Sequence, residues 1–212
     1  MAGKFSSKSL AFVALMAALG NVLSFLSMQL APIAPSIPVG QGSVSLAFDL
    51  SHLTTFVAAI FGGPVVGGFT GLIGGFVAAF EFGFSKGNVI TGIGLPIGKA
   101  LTGVTAGLLF SRIGIFSRKY APIIGTALSY IPEAIFTVFL FVYVLPPFLG
   151  MPVFVAQAVV TQIIVKAYVE MVVMGLILVG FMSNAGFVTS CMAMFPGGRS
   201  LGDEAKKPES SG

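Results

Sequence analysis

Apolar residues run along this chain in six long stretches, separated by short segments that concentrate Pro, Gly and charge. A helix that crosses a bilayer needs about 20 apolar residues, and this pattern predicts six of them. The first covers residues 9–30. Residues 31–44, APIAPSIPVGQGSV, are too rich in Pro and Gly to be helical and form a loop. The second helix covers 45–61 and stops at Gly62-Gly63-Pro64, a tight turn. The third covers 65–84, the fourth 89–110, the fifth 121–145 up to a break at Pro146-Pro147, and the sixth 153–182. Residues 1–8 precede this membrane domain of 9–183, and residues 184–212 form a polar tail whose end, GDEAKKPESSG, is expected to be disordered.

The opening could pass for a signal peptide, because Lys4 and Lys8 precede an apolar run. That run exceeds the usual h-region of about 7–15 residues and no A-x-A site closes it, so a retained first helix is expected.

Composition sharpens the picture. Hydrophobic residues make up 56% of the 212 and charged residues only 8%, where a soluble domain carries about 25%. Water is not the solvent for most of this surface. The net charge of +4 would hint at nucleic acid in a soluble protein, but the basic residues sit at the ends of apolar runs, so nucleic acid is not expected. With the N-terminus inside, Lys4, Lys8, Arg112, Arg118, Lys119, Arg199, Lys206 and Lys207 fall on the cytoplasmic side and only Lys86 outside. That asymmetry predicts cytoplasmic N- and C-termini. The fold class expected is therefore an all-α membrane protein of six transmembrane helices.

Catalytic and metal chemistry find little material. Cys191 is the only cysteine and His52 the only histidine, so a zinc site with several His or Cys ligands cannot be assembled. No enzyme activity, metal or cofactor is expected.

Small residues mark where helices touch. Gly63, Gly67, Gly71 and Gly75 recur every four residues on one ridge, and Gly94, Gly98, Gly103 and Gly107 stud the fourth helix. Hydrocarbon gives helices no hydrophobic drive to pair, so such grooves provide van der Waals contact instead. Ala11, Ala14 and Ala18 give the first helix a smooth face that suits either packing within the fold or a partner subunit.

Charges inside spans are functional hypotheses by default, since each costs roughly 2.5–3.5 kcal/mol to insert. The candidates are Asp49, Glu81, Lys99, Glu133, Lys166 and Glu170, with His52. At a rise of about 1.5 Å per residue, Asp49 and Glu81 fall near the outer face, while Lys99 and Glu133 come to central depth. Those two can reach each other, as a structural ion pair or as part of a ligand site. Asp49 with His52, at i and i+3, reads as a local hydrogen bond, and Lys166 with Glu170 as a neutralised pair on a face shared with Gln162. Pro96 and Pro132 are expected to loosen their helices near Lys99 and Glu133, which argues for a cavity among helices four, five and six. The candidate substrate-binding residues are Asn88 in the outer connection, Lys99, Glu133, Tyr143, Gln157 and Gln162. Tyr143 also suits an aromatic belt at the interface.

Residues 9–182 resemble the substrate-binding S component of an energy-coupling factor (ECF) transporter, a vitamin-uptake relative of the ABC importers. The resemblance lies in SLAFVALMAALGNVLS with Ala14-x-x-x-Ala18, in the Pro-rich first loop, and in FDLSHLTTFVAAIFGGPVVGGFTGLIGG. It implies a site in the outer half made by the first loop with helices four to six. It also implies that Ala11, Ala14 and Ala18 contact a transmembrane coupling subunit driven by two ATPase subunits, because this chain has no G-x-x-x-x-G-K-[ST] loop. The metal-transporting members begin with a His near the N-terminus, which MAGKFSS lacks. The function expected is capture of a small organic solute, a vitamin or related micronutrient, at the plasma membrane of a prokaryote. The alternative is a self-sufficient secondary transporter with Glu133 or Asp49 as its proton-coupling carboxylate.

Overall fold

A computed structural model describes residues 6–30, 32, 36–39, 42–45, 48–113 and 120–195. The polar tail from 196, the first five residues and most of the basic loop 111–120 lie outside the described residues.

Helix α1 (Ser7–Leu30) starts where the Ser6 hydroxyl accepts the Ser9 N–H at 3.1 Å, an N-cap. The loop that follows contains a two-stranded antiparallel hairpin, β1 (Ser36–Val39) and β2 (Gly42–Ser45), with Ser36 opposite Ser45 and Val39 opposite Gly42. The second helix therefore begins at Ser51, six residues later than the apolar pattern suggested. Hydropathy could not separate the end of the hairpin from the helix, because both are apolar.

Helix α2 (Ser51–Gly74) is interrupted at Gly63, whose φ of 78° and ψ of −170° are open only to glycine. A Cβ built on Gly67 would lie 2.7 Å from the Ala59 Cβ. Eight residues of continuous helix would hold those positions about 12 Å apart, so the chain doubles back at Gly63. Residues 51–62 and 64–74 are two antiparallel rods, and the second continues into α3 (Phe76–Phe82). The first rod, about 18 Å long by its twelve residues, is almost wholly buried from Ser51 to Ala59.

Helix α4 (Val89–Ile113) runs unbroken through Pro96. The fifth apolar run divides into α5 (Ala121–Ser129), α6 (Ile131–Phe139), a π-helical turn (Leu140–Val144) and α7 (Leu145–Leu149). Pro132 sits in the first turn of α6, where no N–H is needed. Pro146 and Pro147 do the same for α7, so the expected break there is absent and the helix ends at Gly150, with φ 62°. Helix α8 (Val153–Ser183) matches the sixth run. A further helix, α9 (Ala185–Ala193), opens the stretch expected as tail; the Asn184 side chain accepts the Phe187 N–H and Val188 and Cys191 are buried.

Five of these rods are long and apolar enough to cross a membrane, and one of them, Ser51–Lys86, is the pair folded at Gly63. Leu15, Phe25, Phe80, Ile135, Phe154 and Leu176 point outward, a belt that suits lipid and not water. Inside, Phe12, Phe56, Val57, Phe110, Tyr130, Met171, Met174 and Leu178 form one core around residues 51–62. The chain is thus an all-helical protein, apart from the small hairpin, built as a multi-pass membrane protein would be.

Glycine sets the contact between α2 and α4. Gly71 backs onto the Lys99 carbonyl, Gly67 and Gly103 face each other's backbones, and Gly107 meets Pro64. A Cβ at Gly75 would stand 2.9 Å from the Pro96 Cα. Helix α1 is pinned by one polar residue. Asn21 donates to the Ile73 carbonyl at 2.9 Å and accepts the Val77 N–H at 2.9 Å, bridging the break between α2 and α3.

Asn21→Leu keeps the bulk but strands the Val77 N–H and takes one donor from the Ile73 carbonyl at that break. Unfolding free energy in mixed micelles should fall by about 1–3 kcal/mol. A loss below a few tenths would mean that water or lipid headgroups reach those atoms.

Candidate functional site

Six titratable side chains converge where the first rod of α2 begins. Asp49 precedes that rod, with its carboxylate accepting the Ser51 N–H at 3.0 Å through Oδ1. Its other oxygen accepts from the Lys99 ammonium at 3.1 Å, and Lys99 also donates to the Ser51 hydroxyl. One residue on, His52 Nε2 lies 3.2 Å from Glu133 Oε2. That same oxygen accepts the Thr102 hydroxyl at 2.5 Å. Glu170 on α8 accepts the Asp49 N–H at 2.9 Å and meets the Lys166 ammonium at 3.6 Å. Five elements are joined: the segment before α2, α2 itself, α4, α6 and α8.

The local sequence explains the convergence. Lys99 and Thr102 are one turn apart on α4 and share a face, so one serves Asp49 and the other Glu133. Gly98 lets Glu133 approach; a Cβ there would lie 3.1 Å from the Glu133 Cγ. Tyr130, at the break between α5 and α6, stands edge-on to His52 and to Tyr168.

Lys99, Glu133, His52 and Glu170 are all buried, whereas the Asp49 side chain keeps 27% of its surface. Asp49 is therefore an open side of the cluster, as is Lys166, whose side chain keeps 33% of its surface. The Lys99 ammonium and the Ser51 N–H offset the cost of burying the Asp49 carboxylate. Beside Glu133, a cleft between α4 and α6 lined by Thr91, Gly94, Gly98, Phe136 and Thr137 encloses about 20 Å³. A cavity holds one water from about 10–15 Å³ upward, so the cleft admits a water and not an organic molecule. Among the described residues no three His, Cys, Asp or Glu side chains form a metal-binding group.

The expected site residues separate. Lys99 and Glu133 enter one cluster, but each with a different partner from the one expected, because Asp49, just before the rod, and His52, in its first turn, are those partners. Asp49 and His52 accordingly turn to other helices and not to each other. Lys166 and Glu170 do pair. Asn88 caps α4, its Oδ1 accepting the Thr91 N–H at 3.0 Å; it lies about 16 Å along the helix from Lys99. Tyr143 is exposed and stacked on Phe139, Gln157 is exposed, and Gln162 is half-buried. Ala11, Ala14 and Ala18 are exposed on α1, while Ala17 is buried between them. Ser51 and Thr102 carry no charge and so do not stand out in the apolar pattern; their signal is spacing to a charge, Ser51 two residues after Asp49 and Thr102 three after Lys99.

Compared with known proteins, the chain matches no family model and no curated protein.

Thr102→Val preserves shape and removes the hydroxyl from Glu133. Loss of a hydrogen bond to a charged group costs about 1.5–3 kcal/mol, and the thermal transition should drop accordingly. Thr161→Val, at an exposed hydroxyl that bonds only its own helix, should be near neutral. Equal effects at the two sites would show that Thr102 is not a partner of Glu133.

Proposed function

We propose that this protein is the substrate-binding S component of an ECF-type vitamin transporter, in the plasma membrane of a prokaryote with both termini in the cytoplasm. The observation that carries the reading is the buried ionic cluster where the rod of residues 51–62 begins. Neutralised charges midway along a bundle are expensive to keep and mark solute or ion sites. The hairpin β1–β2 packs against α8 and leads within four residues to Asp49, so the first loop adjoins the cluster's open side. On this reading Asp49, Lys99, Ser51, His52 and Glu133 receive a small organic solute from outside. The exposed Ala11, Ala14 and Ala18 then dock the transmembrane coupling subunit, and two ATPase subunits supply the energy. The asymmetry of Lys and Arg supports the orientation.

The buried contact between His52 and Glu133 also favours a second reading, a self-sufficient proton-coupled transporter with Glu133 as the coupling carboxylate. Liposomes holding the pure chain separate the two: uptake driven by a proton gradient alone supports the second.

Enlarging Ala14 and Ala18 to Leu should abolish co-purification of the ATPase subunits and uptake by cells. Solute retention by the isolated chain should stay within about twofold. Parallel loss of both would mean that the alanines serve the fold alone. For orientation, Ser85→Cys should react with an impermeant maleimide in intact cells and Ser117→Cys should not; labelling at Ser117 would reverse the assigned topology.

A further inference from the structure

We infer that the solute is net neutral and presents a hydrogen-bond acceptor and a donor on one edge, as an amino-carboxylate zwitterion or an amide-edged ring does. The inference rests on the solute-binding reading above and adds its substrate class from charge balance.

Lys99 is buried and its ammonium has two partners, the Asp49 carboxylate and the Ser51 hydroxyl. The adjoining cleft beside Glu133 has room for a water only, so a solute reaches the ammonium from the partly open Asp49 side and parts the two. A simple anion would then satisfy Lys99 and leave the carboxylate facing another negative charge. A simple cation would satisfy Asp49 and leave the ammonium without a counterion. The first sets two negative charges side by side and the second leaves buried Lys99 without a counterion, and each is less favourable than the closed pair. A solute with an acceptor for Lys99 and a donor for Asp49 replaces both halves and keeps the site neutral.

One unpartnered atom points the same way. His52 Nδ1 is buried without a hydrogen-bond partner. With Nε2 donating to Glu133, His52 Nδ1 carries a lone pair that awaits an N–H or O–H. An anion bearing only acceptors has no hydrogen to give it.

The test uses the full chain in lipid nanodiscs and native mass spectrometry. The protein is incubated with an equimolar mixture of benzoate, benzamidine, benzamide and meta-aminomethylbenzoate, and separately with a small-molecule cell extract. Wild-type protein should retain neutral donor–acceptor solutes at least about tenfold over the singly charged probes. Asp49→Asn should shift retention toward benzoate and Lys99→Met toward benzamidine, because each leaves one charge unbalanced. Should Lys99→Met fail to fold, Asp49→Asn with its thermal shift in benzoate carries the same comparison. Preference of the wild type for benzoate or benzamidine overturns the inference, as does a preference that neither substitution alters. A cooperatively melting protein that retains nothing from either source contradicts the solute-binding reading itself.

Discussion

Hydrocarbon offers no hydrogen bonds, so a polar group carried into a helical bundle must find its partner within the protein. This chain carries several such groups to one level, and their mutual satisfaction governs how the rods are arranged. The rod of residues 51–62 has only about half the length of α1 and α4. Its first turn therefore opens inside the bundle and exposes N–H groups that a full-length helix would present to water. Asp49 takes the Ser51 N–H, and Glu170 reaches from α8 to the Asp49 N–H. Lys99 and Thr102 then bring α4 to the same level, and Glu133 brings α6.

Close approach makes this possible. The α4 turn that presents Lys99 has Gly71 against its carbonyl on the opposite side, and Gly67 meets Gly103 one turn further on. With side chains at those glycines α4 would stand off from α2, and the ammonium would not reach Asp49. Small residues thus fix the separation between rods and ionic groups fix their register. Neither would suffice alone, because packing in lipid is not specific in depth and an ion pair without close packing would draw in water. On the proposed reading this combination matters for function: a site held closed by its own charges opens only to a solute that can replace them.

Much of this plan was legible in the sequence. The runs at 9–30, 89–110 and 153–182 became α1, α4 and α8 with nearly the expected bounds, since long apolar stretches with charged ends have one economical arrangement in a bilayer. The reversal at Gly62-Gly63-Pro64 was legible too, because only glycine tolerates the conformation at Gly63. The start of the second rod was not. Hydropathy treated residues 45–50 as helix and so put Asp49 near the outer end of a span, when it precedes a rod that begins deeper. That difference in start exchanges the partners: depth along the spans brings Lys99 to Glu133, whereas in the structure Asp49 takes Lys99 and His52 takes Glu133. The dispersal of Asn88, Tyr143 and Gln157 has a similar origin, since depth along a helix says nothing of the face a residue presents.

The central claim is that Lys99 is held by Asp49 and that Glu133 belongs to His52 and Thr102. Two double-mutant cycles on unfolding free energy in mixed micelles test it. Truncating one partner of a buried pair typically costs about 3–5 kcal/mol, with the open side of Asp49 favouring the low end. The cycle of Lys99→Met with Asp49→Asn should return a coupling of at least about 1.5 kcal/mol. The cycle of Lys99→Met with Glu133→Gln should return less than about 0.5 kcal/mol. Strong coupling of Lys99 to Glu133, with little to Asp49, would contradict the arrangement on which the proposed site depends.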